Sequence, residues 1–210
     1  MSNERDFFRQ VMGQFPTGVT VVTTRSSEGL SGITVNSFTS VSLEPALVLI
    51  CIDLKSHTLP FLRASGSFAV NFLTSEQEDL SRCFAKTAAE RNAYFCNATY
   101  HEAATGSPIL DGTLAFIDAR VVAEYPGGDH AIFLGKVEAM GTHGRVMYLN
   151  DEGKAHSSLA AGNDGVSSNG HAPSTGEEPT PLAYHRGKYR HLATDYLAPS
   201  LVASYEKEHR

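Results

Sequence analysis

The sequence predicts a mainly β protein of the α+β class, with antiparallel strands and a few flanking helices. Runs rich in β-branched residues recur at 19–24, 41–52 and 114–123, and turn-forming residues bound each of them. Short stretches with apolar residues at helical spacing lie between these runs, at 5–14 and 59–63. No predicted strand leads into the GxGxxG turn of a Rossmann fold.

Length and composition indicate one globular domain over residues 1–210. A chain of 210 residues with 41% hydrophobic content is long enough to build a core. The net charge is −6 and the basic residues are scattered, so we do not expect a nucleic-acid partner. No run approaches the about 18 apolar residues that span a membrane, and the polar first ten residues are unlike a signal or transit peptide. We expect a cytoplasmic protein with no membrane association.

The cysteines favour neither a disulfide framework nor a thiolate metal site. Cys51, Cys83 and Cys96 are odd in number and lack C-x-x-C spacing. We expect them to be buried or incidental thiols, and we expect no metal.

The stretch 32–53 carries the most unusual of the predicted strands. Its polar half, 34–40, runs into an apolar half at 47–52, with a turn at Leu43-Glu44-Pro45 between two strands. Two interpretations of the hydroxyls and amide in 34–40 stay open. They belong to an edge strand or loop in water, or they line a strand end that faces a planar, polar ring.

Two predicted helices offer groups that suit a phosphate. Ser56 or Thr58 can cap the helix at 59–63, and its first N–H groups together with Lys55 favour an anion; a plain cap is the alternative. After a strand at 67–73, a second helix begins near Ser75 and ends near Ala85. Its end carries two cations, Arg82 and Lys86, which can bind phosphate or simply remain solvated.

The remaining sequence predicts a hairpin and two polar segments. Strands at 114–123 and 130–139 flank a glycine-rich turn at 124–129. Residues 144–180 are rich in Gly, Ser, Asn, Asp and Glu, so we expect a mobile insertion or lid. The C-terminal extension, 193–210, can form a short helix at 197–207 that packs on a neighbouring subunit.

Four motifs follow one another along the chain: FPTGVTVVTT at 15–24, TVNSFTSVS at 34–42 followed by Pro45 and Cys51-Ile52, GGDH at 127–130 with Leu134-Gly135, and PLAYHRGKY at 181–189. In this order they resemble the motifs of the flavin reductase family, the reductase components of two-component flavin monooxygenases. The resemblance covers most of residues 7–192 and implies an antiparallel six-stranded FMN-binding split β-barrel of Greek-key type with flanking helices. It also implies a homodimer with each flavin at or near the subunit interface. Residues 144–180 depart from the family pattern, and we hypothesise that they gate the side on which nicotinamide binds.

The resemblance further implies hydride transfer from NADH, or NADPH, to FAD or FMN. Reduced flavin then leaves for a partner monooxygenase that hydroxylates an aromatic substrate. Two other functions stay open on the same fold: a flavin-binding sensor or carrier, and a related flavin-dependent oxidase. Hydride moves between stacked rings without an obligatory acid or base, which agrees with the lack of a catalytic triad pattern.

The resemblance also assigns roles to individual residues. His130, in the GDH motif, is the predicted catalytic residue, because it lies near both flavin and nicotinamide and orients the hydride donor. The predicted cofactor-binding residues are Thr34, Val35, Asn36, Ser37, Cys51, Ile52, Asp53, Lys55, Ser56, Thr58, Arg82, Phe84, Ala85, Lys86, His130, Tyr184 and Tyr189.

Overall fold

The computed structural model describes residues 2–91, 93–142, 145–149, 155–158 and 179–192. Its helices are α1 (Ser2–Met12), α2 (Thr58–Ser65) and α3 (Glu78–Phe84), with 3-10 turns at Ser75–Gln77, Ala88–Glu90 and Tyr94–Asn97. None of these described helices has the length and apolar character to cross a membrane. The strands are β1 (Thr17–Gly18), β2 (Thr20–Ser26), β3 (Gly29–Val35), β4 (Thr39–Leu43), β5 (Ala46–Asp53), β6 (Ser67–Phe72), β7 (Tyr100–Glu102), β8 (Pro108–Leu110), β9 (Ala115–Gly127), β10 (His130–Thr142), β11 (Arg145–Leu149), β12 (Ala155–Ser158), β13 (Leu182–His185) and β14 (Lys188–His191).

The main sheet is antiparallel and divides along its long strand β10. Its path runs β12-β11-β10-β9-β6-β2-β3. Strand β5 joins the edge of β10 at residues 130–136, whereas β11 pairs with residues 139–142 of the same strand. Strand β4 then pairs with β5. The predicted antiparallel, mainly β class is confirmed, although the sheet holds nine strands on this count and its ladder stays open.

One serine side chain links the two ends of this open ladder. Strand β3 stops at Val35, and the chain turns before β4 begins. Within that turn the Ser37 hydroxyl donates to the Cys51 carbonyl at 2.9 Å and accepts from the Cys51 N–H at 3.1 Å. The side chain therefore satisfies a backbone position on β5 that a neighbouring strand would otherwise pair.

The main core cluster follows from the alternation of apolar residues along the strands. Val48, Ile50 and Ile52 occupy alternate positions of β5 and are at most 3% exposed. They pack with Phe68 of β6 and Phe133 of β10 in one cluster. Each such side chain contributes roughly 1.5–3 kcal/mol when fully buried, so the long strands are held mainly by this cluster.

The β9–β10 hairpin is longer than predicted. The expected turn over 124–129 is wrong, because residues 124–127 pair with 130–133 and only Gly128 and Asp129 remain in the turn. Strand β6 pairs only with residues 115–120 of β9, so the outer part of β9 has a free edge among the described residues. Pro126 is tolerated there because its missing N–H interrupts no ladder.

The predicted insertion contributes two strands to the sheet. Within 144–180, residues 145–149 form β11 and residues 155–158 form β12, and they pair with each other antiparallel. Residues 144, 150–154 and 159–178 of the predicted lid lie outside the described residues. The predicted C-terminal extension, 193–210, also lies outside them.

One expectation about the cysteines is wrong, because Cys83 and Cys96 form a disulfide. The segment after α3 folds back so that the 3-10 turn Tyr94–Asn97 lies against that helix, and Phe95 packs edge-on against Phe84. Cys51 remains a free thiol. The spacing of 13 residues carries no signal for this pairing, since it depends on a tertiary contact.

Candidate functional site

Three neighbouring cavities share Ala85 in their walls, at the end of α3. We call them the β3 cavity (about 200 Å³), the α2 cavity (about 190 Å³) and the hairpin cavity (about 760 Å³). Their walls come from the end of β3, the start of α2, the end of α3 and the β13–β14 hairpin. Of the predicted cofactor-binding residues, they contain Thr34, Val35, Asn36, Lys55, Ser56, Thr58, Arg82, Phe84, Ala85, Lys86, Tyr184 and Tyr189.

The β3 cavity combines polar groups of β3 with an aromatic wall. The Thr34 hydroxyl donates to the Ser81 carbonyl at 2.6 Å, and the Asn36 amide donates to the Thr17 hydroxyl at 3.2 Å. These contacts fix both side chains at the end of the strand. The polar groups of 34–36 therefore have protein partners and also face a cavity, so both interpretations of the sequence contribute.

The aromatic wall belongs to the β13–β14 hairpin. Tyr184 and Tyr189 are direct cross-strand partners, and their ring centroids lie 5.4 Å apart. The Tyr189 hydroxyl is 2.9 Å from the Ser81 hydroxyl, and the Arg82 guanidinium lies 4.6 Å from the centre of the Tyr189 ring. These contacts hold the hairpin against α3, so the rings form a fixed surface.

The α2 cavity contains the start of α2 and is rich in cationic groups. His57, and not Ser56 or Thr58, occupies the N-cap position of α2. The Ser56 hydroxyl accepts the Thr58 N–H at 3.2 Å, while the Thr58 hydroxyl accepts from Ser31 at 3.0 Å. Lys55, Lys86 and Arg91 complete the basic character of this cavity.

The hairpin cavity is the largest of the three and has mixed charge. Arg82 lines it but donates from Nε to the Glu78 carboxylate at 2.8 Å, which satisfies part of its charge. This ion pair raises the pKa of Arg82 further, so the side chain stays cationic. Lys86, Lys188 and Arg190 add three more cations to the same walls.

Four predicted site residues lie on or beside β5 rather than in these cavities. The Ser37 hydroxyl is committed to the backbone of Cys51, and burial raises the pKa of the Cys51 thiol. Ile52 is fully buried in the core. Asp53 accepts the Lys55 N–H at 2.7 Å and so shapes the chain where it leaves β5 for the α2 cavity.

The predicted catalytic residue, His130, lines a separate cavity of about 360 Å³ with Arg63 and Tyr125. Its Nδ1 lies 2.7 Å from the Asp129 carboxylate, and this hydrogen bond lowers the pKa of Asp129. His130 pairs in register with Asp53, which is two residues before Lys55. The histidine is therefore beside the α2 cavity along the strand, without contributing to its wall.

Sequence reasoning missed several residues that line the three cavities. Arg91 lies between the predicted second helix and the predicted strand at 114–123, and no sequence pattern marks it as a site residue. The positions that line the cavities without having been predicted include His57, Thr87, Arg91, Lys188 and Arg190. Lys188 lies in the closing motif at 181–189 and Arg190 directly follows it, so that motif was the available signal for both.

Comparison with known proteins decides the family. The model of the flavin reductase like domain matches residues 12–193. This chain belongs to that family. The resemblance that the four motifs carried is confirmed, and with it the class of oxidoreductase.

Two relatives in the flavin reductase family have informative names. The reductase subunit HsaB of a flavin-dependent monooxygenase from Mycobacterium tuberculosis is 41% identical over 133 residues, which are 63% of this chain and 70% of HsaB. The NADH-dependent FMN reductase AsuE2 of Streptomyces nodosus subsp. asukaensis is 35% identical over 195 residues, covering 90% of this chain and 85% of AsuE2. The second alignment includes nearly the whole chain.

Solved structures show the same architecture. Nitrilotriacetate monooxygenase component B from Mycobacterium thermoresistibile superposes with a TM-score of 0.73 at 30% identity, covering 94% of this chain and 92% of that one. The NADH:FAD oxidoreductase SgcE6 of Streptomyces globisporus, in complex with NAD and FAD fragments, gives 0.69 at 31% identity, covering 93% and 96%. The predicted split-barrel fold class of this flavin reductase is thereby confirmed.

Proposed function

We propose that this protein is an NADH-dependent flavin reductase that supplies free reduced flavin to a separate monooxygenase acting on an aromatic substrate. The observation that carries the proposal is that three cavities meet at Ala85. The β3 cavity is polar and aromatic, the α2 cavity is basic, and the hairpin cavity is the largest of the three. The names of HsaB and AsuE2 support the reductase activity and the monooxygenase partner.

The residues present fit a flavin nucleotide. A planar, polar ring suits the β3 cavity, where Asn36 faces the same space as Tyr184 and Tyr189. A phosphate suits the α2 cavity, where Lys55 and Lys86 supply positive charge. The hairpin cavity has room for the adenosine half of a dinucleotide, which supports FAD over FMN as the preferred flavin.

The protein contributes mainly positioning to this reaction. Bound flavin supplies the two-electron acceptor for a hydride from NADH, or less favourably NADPH. The hydrogen bonds of Thr34 and Asn36 fix the polar end of β3, and the edge-to-face Tyr184–Tyr189 pair provides an aromatic wall in a fixed orientation. Such fixed contacts lower the entropic cost of aligning two rings. We propose that His130 aligns the nicotinamide, and its 2.7 Å contact from Nδ1 to the Asp129 carboxylate supports this by fixing the ring.

We also propose that the enzyme is a cytoplasmic homodimer. Helix α1 turns Phe7, Phe8, Val11 and Met12 toward solvent, each more than half exposed. An apolar helix face of this kind is typical of a surface that a partner subunit covers. Symmetric dimers are the commonest oligomers of soluble proteins, which favours a second copy of this chain as that partner.

The deciding experiment follows NADH oxidation by flavin-free protein supplied with FAD, FMN or riboflavin in turn. We expect flavin-dependent oxidation, with kcat reduced about tenfold or more in His130→Ala because a nicotinamide held less firmly reacts more slowly. In Asn36→Ala we expect weaker flavin binding. Flavin binding without NADH oxidation would instead identify a sensor or carrier, and oxygen-dependent turnover of another substrate would identify an oxidase.

A further inference from the structure

Arg91 is held in one orientation by three backbone carbonyls. Its Nη2 donates to the Gly32 carbonyl at 2.7 Å and to the Phe84 carbonyl at 3.1 Å, and its Nε donates to the Lys86 carbonyl at 3.3 Å. The guanidinium also lies 5.2 Å from the centre of the Phe84 ring. These contacts join β3 to the end of α3, and they leave Nη1 without a hydrogen bond among the described residues.

The charge of Arg91 lacks an acidic partner in the part of the chain that the structure describes. Arg25, Arg63, Arg82 and Arg120 are each paired with a glutamate. Arg91 is half-buried, and desolvation alone lowers its pKa, with no carboxylate acting against that effect. A partly desolvated cation is costly unless an anion compensates it, so this position calls for a negatively charged ligand.

The surroundings of Arg91 are also positive. It lines the α2 cavity together with Lys55 and Lys86, and among the described residues no carboxylate lines that cavity. The preceding residue, Glu90, accepts from the N–H and the hydroxyl of Thr87 at 3.0 and 2.8 Å. Those bonds and the charge of Lys86 lower the pKa of Glu90. The Glu90 carboxylate therefore interacts with Thr87 and Lys86.

We propose that Arg91 binds the phosphate group of the flavin nucleotide and is the residue that selects phosphorylated flavins over riboflavin. This inference rests on the proposed function, in that flavin is the ligand of the three cavities. Arginine suits the role because the two N–H donors of its Nη1 can fork onto phosphate oxygens while Nε and Nη2 stay anchored on backbone carbonyls. Nη2 donates to the carbonyls of Gly32 and Phe84 and so joins β3 to the end of α3. The same side chain therefore shapes the wall of the α2 cavity and offers donors to a ligand in it.

The test measures dissociation constants for FMN and riboflavin by flavin fluorescence, without NADH. We expect wild type to bind FMN more tightly than riboflavin. Arg91→Gln removes the charge, and we expect it to weaken FMN binding by about tenfold or more, as for a lost charge-assisted bond, while riboflavin affinity stays the same. Arg91→Lys keeps a charge without the fork and should restore part of the FMN preference.

Arg25→Gln is the matched control. Arg25 also lies near an aromatic ring, that of Tyr100, and donates to a partner, but it pairs with Glu102 and lines none of the three cavities. We expect its FMN-to-riboflavin ratio to equal that of wild type. An equal loss for both flavins in Arg91→Gln, with a lower melting temperature, would show a purely structural role and overturn the inference. An unchanged ratio would also overturn it.

The binding assay separates this inference from the proposed function. If Arg91→Gln loses the FMN preference but wild type fails to oxidise NADH, the reductase proposal fails and the assignment of Arg91 stands. If wild type oxidises NADH and the preference survives in Arg91→Gln, the assignment fails and the reductase stands. If wild type binds neither flavin, both are overturned.

Discussion

At the scale of single residues, Asp118 is the clearest buried ionisable group. It is 0% exposed on β9 and accepts hydrogen bonds from the N–H of Thr105, at 2.7 Å, and from the hydroxyl of Thr105. Burial raises the pKa of this carboxyl, and the charge of Glu138 adds to that effect, although the bonds from Thr105 oppose it. The folded protein therefore holds the Asp118 proton to a higher pH than the unfolded chain does.

This raised pKa predicts how stability changes with pH. Below the ordinary aspartate pKa both folded and unfolded states are protonated, and as the pH rises the unfolded state loses its proton first. The Asp118 contribution to the free energy of unfolding is thus lost as pH rises through the folded pKa. In Asp118→Asn that loss disappears, so the free energy of unfolding of the variant, relative to wild type, should increase with pH.

Urea unfolding of both proteins over a pH series measures this difference. The variant also loses one acceptor for Thr105, which adds a constant offset but no slope. Because all other titrating groups are shared, they cancel in the comparison. A difference that stays flat, or that decreases with pH, would contradict the raised pKa.

Single residues also show where sequence reasoning stopped. The polar character of Thr34 and Asn36 marked a site, because hydroxyls and amides crowd a segment of strand-forming residues. The sequence could not show that the hydroxyl of Ser37, the residue after Asn36, forms hydrogen bonds with the backbone of Cys51. Nor could it separate Arg91 from the other arginines, since its role depends on carbonyls 59 and 7 residues away in the chain.

At the scale of elements, the β13–β14 hairpin depends on its two-residue turn. Arg186 and Gly187 both have positive φ, 52° and 73°, as a type I′ turn requires. A residue with a Cβ is disfavoured in this conformation, whereas glycine is not. The turn places Tyr184 and Tyr189 opposite each other, so its conformation determines the aromatic wall of the candidate site.

Replacing Gly187 by Ala should therefore lower the free energy of unfolding by about 1 kcal/mol, because the new side chain is forced into the left-handed region. Thermal or urea unfolding measures the change. Gly18→Ala is the control: Gly18 lies in the same small sheet, its Cβ would meet open space, and its φ is not in that region. The control should be neutral or slightly stabilising, and equal losses in both variants would refute the turn argument.

The disulfide fixes a second element, the turn after α3. Phe95, Cys96 and Asn97 all have φ near +50°, which is costly for residues with side chains. The Cys83–Cys96 bond closes a loop of 13 residues around this turn. Because such a cross-link restricts the unfolded chain, the Cys83→Ser/Cys96→Ser variant should lose about 3 kcal/mol of unfolding free energy.

Urea unfolding with and without a small dithiol reductant measures this loss. Reductant should destabilise wild type by a similar amount and leave the double variant unchanged. Thiol titration of denatured, unreduced wild type should find a single free thiol, that of Cys51. Three free thiols would contradict the bond.

Helices and strands were predictable from sequence where neighbouring residues alone decide the conformation. The β-branched runs placed β2, β5 and β9, since alternation and composition decide such strands. The length of β9 and β10 was underestimated, because glycine and proline near 126–128 suggest a broad turn unless the free edge of β9 is known. The disulfide and the shortened turn both required tertiary contacts, which no local pattern encodes.

At the scale of the whole molecule, the candidate site exists only because distant segments meet. Ala85 lies where β3, α2, α3 and the closing hairpin converge, although β3 ends at Val35 and the hairpin begins only at Leu182. The family motifs indicated the participants but not their grouping. Twelve of the predicted cofactor-binding residues line the three cavities, whereas those on β5 and His130 lie outside them.

The molecule's surface predicts association through α1. The end of this helix is tied to the closing hairpin by the Arg186 N–H, which donates to the Gly13 carbonyl at 2.9 Å. The helix is thus anchored while Phe7, Phe8, Val11 and Met12 face solvent on one side of it. Dimerisation through this face would bury two phenylalanines per subunit, and aromatic residues dominate the energy of such interfaces.

We therefore expect sedimentation velocity to show a dimer, and Phe8→Glu to raise its dissociation constant by about tenfold or more, since a charge would be buried in an apolar contact. Gln10→Glu adds the same charge on the opposite side of the same helix and should leave association unchanged. A monomeric wild type, or equal dissociation in both variants, would exclude α1 as the interface. If Phe8→Glu lowers the affinity for flavin together with dimer content, and higher protein concentration restores both, then the neighbouring subunit supports the site at Ala85.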